Sequence, residues 1–211
     1  MIKIFLINIL LFSSKCLLNN QFNLTAEFDL ETIRKNILEG HNAHRKDHQV
    51  GDLVRNPEIE KIAQDYSQFL LQKGEMIHSN NTYKGYQLGE NLFMKYSSSS
   101  ISVTGKEADL AWYNEIKDYD FNKPGFSSKT GHFTQLVWKG SKEIGCGAAC
   151  SRNKCFITCN YYPPGNYLNQ FQNNVFPKKS DSSSSSNFSE QLGKSNLRYF
   201  ASLFLFFSLI I

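Results

Sequence analysis

Apolar residues fall at helical spacing in the first half of this chain and crowd into strand-like runs in the second. Over residues 29–48, Leu30, Ile33, Ile37, His41 and His44 share one face, which predicts an amphipathic helix. A second helix has clear punctuation: Asn56 as N-cap, Pro57 at the first helical position, and Gly74 as the stop. Its predicted inward face is Ile59, Ile62, Ala63, Tyr66, Phe69 and Leu70. The segment Thr104-Gly-Lys-Glu107 has the form of a capping box, opening a third helix through Ala108, Ala111, Trp112 and Glu115. Shared helical phase turns Glu115 toward the interior with Trp112. Beyond Trp138, residues 143–149 and 155–161 read as two strands, and the four residues between Cys150 and Cys155 as their hairpin loop.

The ends carry apolar runs of another kind. Residues 1–19 combine a basic start with an apolar core of about ten residues, too short to span a bilayer, the layout of a secretory signal peptide. Cleavage is expected between Ser14 and Asn20, removing Cys16. Small residues over 182–186, a polar spacer and an apolar tail to Ile211 have the layout of a GPI-attachment signal. The rival readings are a tail anchor and a disordered tail. The expected organisation is a signal peptide at 1–19, one domain at 28–176, a Ser-rich stalk at 177–189 and the attachment signal at 190–211. The attachment residue lies within 182–189. Membrane contact is then through a lipid anchor rather than a spanning helix, and the mature chain is extracellular, secreted or held at the cell surface. Asn23, Asn80 and Asn187 stand in glycosylation sequons.

Charge removes one class of partner. The chain is formally +4. Without Lys3, Lys15, Lys194, Arg198 and Glu190 it has 19 basic against 18 acidic residues, or +1. That leaves no electrostatic footprint for nucleic acid.

Four cysteines remain in the mature chain, all in the predicted hairpin. Across a symmetric hairpin Cys150 faces Cys155 and Cys146 faces Cys159, and opposed non-hydrogen-bonded positions approach closely enough for disulfides. Two nested bonds are predicted. A zinc site of four thiolates is the rival, disfavoured by an oxidising secretory route.

The segments Gly131-His-Phe-Thr-Gln-Leu-Val-Trp138 and Phe156-Ile-Thr-Cys-Asn-Tyr-Tyr-Pro-Pro-Gly-Asn-Tyr167 resemble the two signatures of the CAP superfamily. Its members include cysteine-rich secretory proteins, antigen 5 and pathogenesis-related proteins of class 1. His41-Asn-Ala-His-Arg45, His78-Ser79, Gly89-Glu-Asn-Leu92 and Trp112-Tyr-Asn-Glu115 follow in the family's order. The resemblance implies a three-layer α-β-α sandwich with a central antiparallel sheet. It implies a cleft tetrad of His78, Glu90, Glu115 and His132, with the two histidines as metal ligands. It also implies the Cys146–Cys159 bond, whereas Cys150–Cys155 departs from the family's commoner pairing. No cysteine-rich C-terminal module follows, so channel blocking is not expected.

Neutral imidazole is a favoured nitrogen donor, and two histidines leave positions for water. Zn2+ or another divalent ion would therefore bind weakly, with Glu90 and Glu115 nearby. Without metal, the same four residues form a hydrogen-bonded network. His41, His44 and His48 share a helical face and offer a second candidate cation site, against a packing role. No serine or cysteine nucleophile accompanies the histidines. Three functions stay open: a binding protein for a lipid, sterol or protein ligand, the preferred reading; a metal-dependent hydrolase using Glu90 or Glu115; and a structural surface antigen.

Overall fold

The computed structural model describes residues 28–179. The signal-peptide, sequon Asn23 and Asn187, and attachment-signal expectations lie outside those residues. The chain divides into a unit ending at Pro177 and a second from Lys178, of which only Lys178 and Lys179 are described.

Helix α1 (Leu30–Asp47) starts at Asp29, whose carboxylate accepts from the Glu31 N–H at 3.0 Å. Its buried stripe is Ile33, Ile37, His41 and Arg45. A regular step of four carries the stripe to Arg45, leaving His44 at its margin. After β1 (Val54–Arg55), α2 (Pro57–Lys73) is bounded as expected: Asn56 accepts from two helix N–H groups, and Gly74 adopts φ 76°. Its inward face differs from expectation. Ile59, Glu60, Ala63, Ser67 and Leu70 are buried, whereas Phe69 is exposed, stacked on Tyr66.

The small hairpin β2 (Thr82–Tyr83) and β3 (Tyr86–Gln87) leads into β4 (Gly89–Tyr96). Helix α3 (Lys106–Tyr113) begins after Gly105, and only half of the capping box forms. Glu107 accepts from both the N–H and the hydroxyl of Thr104, so that hydroxyl is turned away from capping the helix. The helix stops at Tyr113, Ala111 is exposed, and Glu115 sits in a 3₁₀ turn, Asn114–Asp118. Helix α4 (Gly131–Leu136), β5 (Glu143–Cys150), β6 (Lys154–Tyr162) and a single turn, α5 (Phe171–Asn174), complete the order.

The main sheet runs β1-β5-β6-β4, antiparallel except for the short β1, which pairs parallel with β5. Helix α2 covers one face; α1, α3 and α4 cover the other. This is the three-layer α-β-α sandwich. Both faces are buried, so β5 and β6 are almost continuously buried rather than alternating. Gly145 and Gly147 face α2, where a Cβ would strike the backbone of Glu60 and Gln64; their bareness lets the helix lie directly on the sheet. On the other face, Cys146 bonds Cys159 and Cys150 bonds Cys155. Each pair is directly opposed in the ladder, with Cα atoms 4.2 and 4.0 Å apart.

Arg45 ties these layers near the site. Fully buried, its guanidinium donates to the carbonyls of Gly51, Leu136, Trp138 and Ser141 at 2.7–3.0 Å. Burial lowers its pKa to about 10, still well above neutrality. The end of α4 and the approach to β5 are thereby fixed to α1.

Candidate functional site

Each expected site histidine is held by its own carboxylate. His132, the second residue of α4, places Nδ1 2.6 Å from Glu115 Oε1. The other oxygen of Glu115 accepts from the backbone N–H groups of His132 and Phe133 at 2.9 and 3.1 Å. Glu115 thus satisfies the donors that open α4 and orients the ring in one stroke. Trp112 packs beside His132 and donates its indole N–H to Leu92 O at 2.9 Å, while the Asn91 amide donates to His132 O at 3.0 Å. Strand β4 is therefore fastened to both α3 and α4.

The second pair forms at the start of β4. His78 Nδ1 lies 2.8 Å from Glu90 Oε1, and Ser79 donates to Glu90 through its N–H at 2.9 Å and its hydroxyl at 2.5 Å. Asn160 approaches the same carboxylate from β6 at 3.4 Å. Burial alone would raise the Glu90 pKa, but the bonds from His78 and Ser79 outweigh it and hold the carboxyl below its ordinary value. The bond to Glu90 raises the His78 pKa against the opposing effect of burial. His78 remains 66% exposed at its side chain while Glu90 is 6% exposed, so the ring bridges a buried charge to solvent. The four expected residues come together as two pairs, linked through adjacent residues of β4: Glu90 to His78, and Asn91 to His132.

Both Nδ1 atoms are engaged by carboxylates, the arrangement that fixes a ligating histidine and strengthens its basicity. No described residue bonds either Nε2. Among the described residues, no three His, Cys, Asp or Glu side chains form a group placed to hold an ion. The described residues offer imidazole donors but no closed four-ligand site. Beside Glu90 a cleft of about 300 Å³ opens, bordered by Gln135, Asn166 and Tyr167.

The histidines of α1 take the packing role rather than forming a second cation site. His41 bonds Asp109 through Nδ1 at 2.7 Å and the Tyr161 hydroxyl through Nε2 at 2.8 Å. His44 Nε2 takes the other Asp109 oxygen at 3.1 Å, with its ring stacked on Tyr113 at 3.6 Å. His48 bonds the Phe176 carbonyl and the Tyr113 hydroxyl. These rings are structural, each held by protein partners. Their shared helical face was real, but it points at the core.

Asp109, Tyr161 and Arg45 were not singled out by the sequence reading. The available signal was placement: Asp109 lies three residues before Trp112 on the buried side of α3, and Arg45 continues the four-residue stripe of α1. A polar residue on a buried face requires partners.

The model of the cysteine-rich secretory protein family, CAP, matches residues 38–161. Human Golgi-associated plant pathogenesis-related protein 1 is 41% identical over 146 residues, covering 68% of this chain and 92% of that protein. Pathogenesis-related protein 1A1 of Solanum lycopersicum is 34% identical over 156 residues, covering 72% and 83%. Among solved structures, NaASP2 with Zn2+ superimposes with a TM-score of 0.54 at 26% identity, covering 75% of this chain and 90% of that one. The six ordered motifs, the sandwich and these matches agree: the chain belongs to the cysteine-rich secretory protein (CAP) family.

Proposed function

We propose that this chain is an extracellular CAP-domain binding protein whose His78 and His132 take one divalent cation, such as Zn2+, weakly. The observation that carries the reading is the shared form of the two pairs, with each Nδ1 on a glutamate and each Nε2 without a partner among the described residues. Support comes from NaASP2, a relative in fold whose crystal structure is described with Zn2+. A bound ion would supply a positive centre with open coordination positions. Glu115 and Glu90 orient the imidazoles, and Asn91 holds the α4 backbone beside β4.

Binding is favoured over hydrolysis because both carboxylates are occupied. Glu115 accepts three bonds, and Glu90 accepts from His78, Ser79 and Asn160 while its pKa is held down. A carboxylate stabilised in its charged form is a weak general base. The ligand classes assigned to the cleft are a lipid, a sterol or a protein surface.

The two disulfides accord with an oxidising compartment. We assign export to residues 1–19, a stalk to 177–189 and GPI attachment to 190–211. Native mass spectrometry of the mature chain tests the binding reading, with one ion expected per chain and bound lipid or sterol registered in the same spectrum. A spectrum with neither ion nor ligand, at saturating Zn2+, replaces it with the structural-antigen reading. Release from intact cells by phosphatidylinositol-specific phospholipase tests anchoring. Resistance with residues 190–211 still attached overturns it.

A further inference from the structure

The loop that carries His78 also carries a sequon, Asn80-Asn81-Thr82. Its side chains alternate between solvent and protein. His78 is exposed; Ser79 turns inward to bond Glu90; Asn80 is exposed; Asn81 turns inward, its N–H on the Ser79 hydroxyl and its amide 3.5 Å from Asn160. Asn80 is exposed two residues from His78, which is exposed as well. No described residue bonds the Asn80 amide or the Thr82 hydroxyl, and both are exposed. The neighbouring asparagine is distinguished by its inward bonds, so of the pair only Asn80 is presented to solvent.

We propose that Asn80 carries an N-linked glycan that covers the His78 side of the site and restricts it to small ligands. In the modification, Nδ2 of Asn80 bonds the anomeric carbon of a lipid-diphosphate-linked oligosaccharide. The lipid diphosphate leaves, and Nδ2 gives up one proton. The glycan is hydrophilic and mobile, and its root is two residues from His78. It excludes macromolecular surfaces from the imidazole while water and a metal ion still reach Nε2. The proposal rests on the extracellular reading and deepens it: the cation site is shielded from large partners, which must approach from the His132 side.

The experiment uses the full chain secreted from eukaryotic cells. Intact mass and peptide mapping before and after peptide N-glycosidase are expected to show a glycan on Asn80, lost in Asn80→Gln. An unmodified Asn80 in chain whose leader has been removed overturns the proposal. Coverage is read with His78→Cys, labelling the introduced thiol with a polymer-linked maleimide and with a small maleimide. The bulky reagent is expected to react several-fold slower before deglycosylation than after, the small one at equal rates. Equal rates for the bulky reagent overturn the shielding. Should His78→Cys fail to fold, the wild-type mass and map still decide occupancy, and the polymer probe is moved to the exposed Met76→Cys. Zn2+ titration of Asn80→Gln reads the cation site independently, so loss of that reading and loss of this one are separately visible.

Discussion

Glu115 holds His132 twice, by its ring nitrogen at 2.6 Å and its backbone N–H at 2.9 Å, and takes a third bond from the Phe133 N–H at 3.1 Å. One carboxylate therefore sets both the start of α4 and the direction of the imidazole. Glu115→Ala should cost about 1–2 kcal/mol of stability, the scale of a lost helix cap. It should also weaken cation binding about 10–100-fold through the released histidine. Glu115→Gln keeps an acceptor and should recover much of the stability but less of the affinity. Urea denaturation and metal titration separate the two effects.

Arg45 is the fold's tie between α1 and the chain leaving α4. Arg45→Met fills similar volume but leaves the buried carbonyls of Leu136 and Ser141 without this donor, while Trp138 O keeps the Ser141 N–H. Unsatisfied buried groups cost about 1–3 kcal/mol each before relaxation, so a loss of about 3–5 kcal/mol is expected. Arg45→Lys, with one charged donor centre, should fall between. Midpoints of chemical denaturation at unchanged slope test the order.

The buried pair of His41 and Asp109 gives stability a defined pH dependence. Burial lowers the His41 pKa below its ordinary 6.5 despite the opposing bond from Asp109. As pH falls from 6.5 toward the folded value, the unfolded chain binds the extra proton, so stability declines. Burial would raise Asp109, but its bonds from His41 and His44 outweigh this and hold it below 3.8. Its contribution is present above 3.8 and is lost as pH drops from there through the folded value. One proton changes stability by at most about 1.4 kcal/mol per pH unit. His78, whose pKa is raised, acts in the opposite direction; it is unchanged in His41→Gln, which should show a flatter decline below pH 6.5. Identical slopes for wild type and variant would contradict this.

Much of this arrangement was legible because local signals and packing agree. Asn56, Pro57 and Gly74 bound α2 by backbone chemistry that no neighbour overrides. The cysteine register followed from the hairpin alone. Glu115 was expected inside because of Trp112; it turns to the start of α4 from a 3₁₀ turn and stays 20% exposed at its side chain. Phe69 was misplaced because a helical face only states which residues are neighbours. The closeness of α2 to Gly145 and Gly147 decides which part of that face touches the sheet. The histidines of α1 were harder still. Their partners, Asp109, Tyr161, Tyr113 and Phe176, are 65 to 128 residues away, and no local pattern announces them. The tetrad came from family resemblance; its division into two carboxylate–imidazole pairs required coordinates.

Calorimetric titration of the mature chain with Zn2+ at neutral pH, beside His78→Ala and His132→Ala, addresses the shared role of the two rings most directly. One weak site per chain is predicted, with either substitution alone reducing affinity at least about tenfold, consistent with the scale of losses at metal sites. Unaltered binding in either single variant would contradict a site that uses both imidazoles.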